Sequence, residues 1–170
     1  MIYVCEDIRA QMIARKSLRL VINMVCCFFG HKDVPSALKE HLLPVLNELI
    51  KEGVDSFLVG NQGGFDSTVL HALRLLKEKY PHISYNVVLA YMPGAKENWS
   101  AYDTMETLYP EGLESVHPRF AISWRNKWMI QESDVVVTYI THSWGGAAQF
   151  ADLAKRKKKR VINIKIPACK

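Results

Sequence analysis

The sequence predicts an α/β protein: a mainly parallel β-sheet held between two layers of helices. Three observations carry this. Short apolar runs alternate along the chain with amphipathic stretches of helical period. Several of the runs, "MVCCFF" and "DVVVTYI" among them, are continuously apolar, as strands buried on both faces are. Glycines stand where apolar runs hand over to helices. With 170 residues the chain is long enough for one domain with a true core.

The first strand signal runs from Met24 to Gly30. Its neighbouring Cys26 and Cys27 must point to opposite faces. With no C-x-x-C and no paired histidine motif they read as reduced, small apolar residues of a cytoplasmic protein. A helix is expected over 35–53: Leu38, Leu42, Leu46 and Leu49 share one stripe, Pro35 suits a first turn and Gly53 the end. Pro44 is the misfit, since inside a helix it removes a hydrogen bond and forces a kink. "DSFLVG" is the second strand, and 65–80 the second helix, with Val69, Leu73 and Leu76 inward. "ISYNVVLAYM" is a third strand, followed by an irregular stretch over 93–118. A helix over 119–133, a strand over 134–140, a helix over 145–159 and a strand over 160–166 complete the alternation. In the last helix Ala147, Phe150, Ala151 and Ala154 form one stripe. Right-handed crossovers then restrict the topology to a doubly wound, Rossmann-like three-layer α/β/α sandwich.

Residues 1–23 are expected to form an extension ahead of a single domain over 24–170, with Met24 as the natural start the alternative. The segment is basic, but Glu6 and Asp7 speak against a transit peptide, and it lacks the apolar core of a secretory signal. The longest apolar run, Val21 to Phe29, is too short to span a bilayer, so no membrane helix is expected. The formal charge is +5, with six basic residues gathered in one block, Lys155 to Arg160. A block that ends a helix reads as a solvated terminus, so nucleic acid is not expected as a partner.

In such sheets ligands bind at the carboxyl ends of the strands, where the strand order reverses. Three loops leave a strand and enter a helix there: "GHKDVP" from Gly30, "GNQGGFD" from Gly60 and "THSWGGAAQ" from Thr141. Each offers backbone N–H groups at a helix start, and glycine lets a ligand come close. Lys32 can add charge for a phosphate or carboxylate, and Asp66 can accept from a ribose hydroxyl or cap its helix. Arg125, between Trp124 and Trp128, reads either as a pocket arginine or as a structural one. His31 is equally open between ligand and turn contact. His117 and His142 have no metal-ligand partner at a recognised spacing, so no metal site is expected. Tyr91, Trp99 and Tyr102 flank the irregular stretch as a stacking wall or as loop anchors. Gly60-x-x-Gly63-Gly64 is not the dinucleotide fingerprint, and no Walker A lysine–serine pair is present.

Four blocks, "CCFFGHKDV", "FLVGNQGGFDSTVLHAL", "RNKWMIQESDVVV" and "GGAAQFADLAKRKKKRVINI", resemble the YpsA-like family of bacterial proteins. That family belongs to the SLOG superfamily, named for the Smf/DprA and LOG proteins. The resemblance covers Met24 to Ile166 and implies a Rossmann-like domain that binds a nucleotide or nucleotide-derived ligand, as a regulator or sensor. It places Gly30, His31 and Lys32 at a Gly-His-Arg-type turn, here with lysine for arginine. Gly63, Gly64 and Asp66 match a Gly-x-x-Gly-Phe-Asp turn, Arg125 and Asn126 an Arg-Asn pair, and Gly145 and Gly146 a second glycine pair. LOG-type phosphoribohydrolases carry Pro-Gly-Gly-x-Gly-Thr-x-x-Glu with a catalytic glutamate. Here Ser143-Trp144-Gly145-Gly146-Ala147-Ala148-Gln149-Phe150 has none, and a neutral amide is neither nucleophile nor base.

Three readings stand at this stage. The first is a ligand-binding module with Gly30, His31, Lys32, Gly60, Gly63, Gly64, Asp66, Arg125, Asn126, Thr141, Gly145 and Gly146 at its site. The second is a phosphoribohydrolase- or nucleosidase-like enzyme, which requires an acid near the glycine loops; Glu97 or Asp66 is the first candidate, and Glu97 and Asp103 are the acids of the irregular stretch that could replace the missing glutamate. The third is an interaction protein, a homo-oligomer using the aromatic loop or the basic block, with the glycine turns purely structural.

Overall fold

A computed structural model describes residues 23–92 and 106–167. Six strands form one sheet: β1 (Met24–Gly30), β2 (Val54–Val59), β3 (Ser84–Val88), β4 (Glu106–Leu108), β5 (Val135–Tyr139) and β6 (Arg160–Asn163). Four helices connect them: α1 (Leu38–Lys51), α2 (Gly64–Lys79), α3 (Pro118–Glu132) and α4 (Gly146–Arg156), with a short 3-10 turn at Leu113–Ser115. The sheet order is β4-β3-β2-β1-β5-β6, and every pairing is parallel. The chain therefore builds outward from β1 to β4, then returns to the other side of β1. That reversal puts the crevice between β1 and β5.

The sheet lies between two helix layers because its strands are apolar on both faces. Cys26 and Phe28 pack with α1 and α2; Cys27 and Phe29 pack with α3 and α4. The adjacent cysteines thus point to opposite layers, as their spacing predicts. The leucine stripe of α1 is fully buried at Leu38, Leu42, Leu46 and Leu49, and α2 buries Val69, Leu73 and Leu76. Each such side chain contributes roughly 1.5–3 kcal/mol. Gly53, with φ +103°, closes α1 in the left-handed region.

The element boundaries differ from expectation where side chains intervene. α1 begins at Leu38, after a turn in which the Leu38 N–H donates to Pro35 O over 3.0 Å. It continues unbroken through Pro44. β3 stops at Val88 instead of reaching Met92, and the Val88 carbonyl accepts from Arg125 Nη1 at 2.7 Å. α4 ends at Arg156, two residues ahead of Lys158 with its φ of 58°. The stretch expected to be irregular contains β4 and the 3-10 turn. Residues 1–22, and with them the extension, lie outside the described residues.

A pocket at the sheet crossover

At the carboxyl ends of β1 and β2, a pocket of about 160 Å³ opens beside the start of α4. Gly30, Gly60, Gly63 and Asp66 line it from the first two loops, Arg125 and Asn126 from α3, and Gly146 from α4. Seven of the twelve sequence-selected residues therefore converge on one cavity. His31, Lys32, Gly64, Thr141 and Gly145 are not among its lining residues. Thr141 lines a separate cavity with His142 and Asn163, and the Lys32 side chain is exposed. Glu97, Trp99, Tyr102 and Asp103 lie outside the described residues. Tyr91 is exposed, and its hydroxyl donates to Pro118 O at 3.0 Å.

The pocket's charge is a buried guanidinium beside a half-buried carboxylate. Arg125 is 2% exposed; Nη1 donates to Val88 O, and the buried Nε has no partner. Asp66 accepts the Gln62 N–H at 2.9 Å, tying the glycine loop to the first turn of α2. Both groups crowd onto Gly60: a Cβ there would sit 2.6 Å from Asp66 Oδ2 and 2.9 Å from Arg125 Nη1. Burial raises the Asp66 carboxyl above its ordinary value, against the opposing pull of the Gln62 amide and the Arg125 charge. Burial likewise lowers Arg125, with Asp66 acting in the other direction. The described ion pairs, Lys155–Asp152 and Arg160–Glu52, lie elsewhere.

The glycines divide into two kinds. At Gly64 a side chain would strike the Lys32 carbonyl, which already accepts the Gly64 N–H at 3.0 Å. At Gly30 it would strike the buried Phe65 ring. These bare positions are filled by the protein's own atoms, a loop carbonyl at one and a helix side chain at the other. At Gly145 and Gly146 a side chain would meet nothing within 4 Å. No side chain caps α4 there, and Gly145 has φ +92°. The open backbone is therefore at the second glycine pair, where the first turn of an eleven-residue helix presents amides without intrahelical partners.

One arrangement of residues escaped the sequence reading. His31 stacks on His142 with ring centroids 3.7 Å apart and 21° between planes, and His142 stacks on Trp144 at 3.8 Å and 18°. His142 Nδ1 also lies 3.0 Å from the Trp144 carbonyl oxygen. His31 Nε2 is buried without a partner, and burial, with His142 adding to it, lowers the His31 pKa. The signal was present as a ring residue in each of two loops predicted to share one sheet edge. Only the β1–β5 adjacency brings them face to face.

Fold and pocket define a doubly wound α/β protein with a small crevice at its strand-order reversal. The chain belongs to the YspA SLOG family, whose pattern it matches over residues 23–167. No curated protein matches it in sequence. Among solved structures it is similar to DNA processing protein A (DprA) of Streptococcus pneumoniae, at 15% identity and a TM-score of 0.63. That alignment covers 89% of this chain and 53% of the streptococcal one, so the chain spans about half of its neighbour's length. It is also similar to DNA processing protein A of Helicobacter pylori, whose structure describes a single-stranded DNA binding mode: 17% identity, TM-score 0.62, covering 88% of this chain and 69% of that one. Setting nucleic acid aside as a partner is thereby corrected. Charge clustering was the wrong criterion, because single strands are also held by stacking and by backbone amides, which a charge count does not register.

Proposed function

We propose that the protein binds a nucleotide unit, a phosphorylated nucleoside either free or within a single strand, at the β1–β5 crossover. The observation that carries this reading is the uncapped, sterically open start of α4 beside a buried arginine with an unpaired Nε. The first-turn amides of α4 take the phosphate, aided by the helix dipole. Arg125 supplies the balancing charge from the pocket wall, and Asp66 takes a ribose hydroxyl. The SLOG membership and the fold shared with a single-stranded-DNA-binding neighbour support a nucleotide-related ligand. A regulatory or sensory role is part of the same reading.

Gly146→Val tests it. A Cβ there meets nothing within 4 Å, and the added bulk is expected to hinder approach of a ligand to the helix start. In wild type, a nucleoside monophosphate at a hundred times its Kd adds about 2.7 kcal/mol of apparent stability, read as a higher Tm. The variant is expected to keep the unliganded Tm and lose the ligand-induced shift. Absence of any shift with mononucleotides, ADP-ribose and single-stranded oligonucleotides overturns the reading.

A second reading, hydrolysis of an N-glycosidic bond, is favoured by one observation: a carboxyl of raised pKa, Asp66, lines the pocket. Release of free base on incubation with a bound nucleotide, lost in Asp66→Asn, is its distinguishing result.

A further inference from the structure

We propose that Trp144, backed by His142 and His31, is the platform on which the base of that nucleotide stacks. The inference rests on the nucleotide reading above and specifies where the base lies.

The pocket's size leaves such a place to be found outside it. Sites that enclose whole small ligands measure roughly 300–1,000 Å³, whereas this one holds about 160 Å³. It accommodates a phosphate and part of a sugar, leaving the base on the rim. The ring ladder comes from the two loops that follow β1 and β5. It starts one residue after Gly30 and ends two residues before Gly146, both of which line the pocket.

Trp144 is 71% exposed, the most exposed of the large hydrophobic side chains described. It is nevertheless held in place, with His142 flat against one face and bonded to its backbone carbonyl. A tryptophan already ordered loses little rotamer freedom when a second ring covers it, so stacking costs less than on a free side chain. Every nucleobase has a π-face, so the platform accepts bases without strong preference among them. The neighbouring helix start receives the phosphate of the same nucleotide, so one ligand engages both.

The test compares AMP, ribose 5-phosphate and a short single-stranded deoxyadenylate by calorimetric titration of wild type, Trp144→Ala and Trp144→Phe. Trp144→Ala is expected to weaken AMP roughly 5- to 150-fold while leaving ribose 5-phosphate, which has no base, unchanged. Trp144→Phe retains most of the AMP affinity. A strand as the natural source appears as binding of the oligomer alone, with the same loss in Trp144→Ala. If AMP or the oligomer binds wild type and Trp144→Ala equally well, or if AMP and ribose 5-phosphate weaken together, the platform is refuted and the nucleotide reading survives. If wild type binds none of the three, the nucleotide reading fails and the platform with it.

Discussion

Asp66 shows how a residue that lines a pocket can cost stability. Burial raises its folded-state pKa, so ionising it is harder in the folded protein than in the unfolded chain. Its stabilising contribution is complete below the ordinary aspartate value of about 3.9 and is lost as pH rises through the folded value. Asp66→Asn keeps an acceptor for the Gln62 N–H and removes the buried charge. At neutral pH the variant is expected to melt at or above the wild-type temperature, with the difference vanishing below about pH 3.9. Nucleotide affinity falls in the same variant. His31 runs the other way: its folded pKa is depressed, so its contribution is present above about 6.5 and lost on acidification below that. Calorimetric melts in a pH series, with His31→Gln flattening the acid limb, check both signs. A wild type more stable than Asp66→Asn at neutral pH would mean that the Arg125 charge outweighs the burial.

At the scale of elements, α1 shows which sequence signal wins a conflict. An internal proline costs about 3 kcal/mol, while four buried leucines contribute roughly 1.5–3 kcal/mol each. The stripe prevails and the helix runs on. Because Pro44 is exposed, Pro44→Ala is expected to stabilise the protein by about 1–3 kcal/mol, measured by urea denaturation. The same comparison explains what could be read in advance. Helical periodicity located α1, α2 and α4, and apolar runs located five of the strands; α3 was placed by the alternation alone. β4, at three residues, is too short to display any period. The pocket was legible because its glycines sit at strand–helix junctions. The His31–His142–Trp144 ladder was not, because its rings come from loops more than a hundred residues apart, joined only by the β1–β5 pairing. The distinction between packed and open glycines was equally invisible, since identical letters at Gly64 and Gly146 face a carbonyl in one case and free space in the other.

For the molecule as a whole, β1 is the centre of gravity: it pairs with both β2 and β5, and its side chains enter both cores. Cys26 and Cys27 are both 0% exposed, and burial raises both thiols, Cys27 to about 12. Their alkylation, followed peptide by peptide by mass spectrometry, is expected only at denaturant concentrations that unfold the whole domain. Labelling under native conditions would reveal a sheet that opens locally. Among the described residues no helix is long and apolar enough to cross a membrane.

The division of the two helix layers also follows the order of synthesis. α1 and α2, which cover one face, are complete before α3 and α4 have left the ribosome. Until they do, a half-built sheet carries Cys27, Phe29, Leu58 and Val88 on the face that α3 and α4 come to cover. Nascent chains in that condition are sticky, and chaperones exist to shield them. The interval between completion of α2 and completion of α4 is thus the most vulnerable in the protein's synthesis.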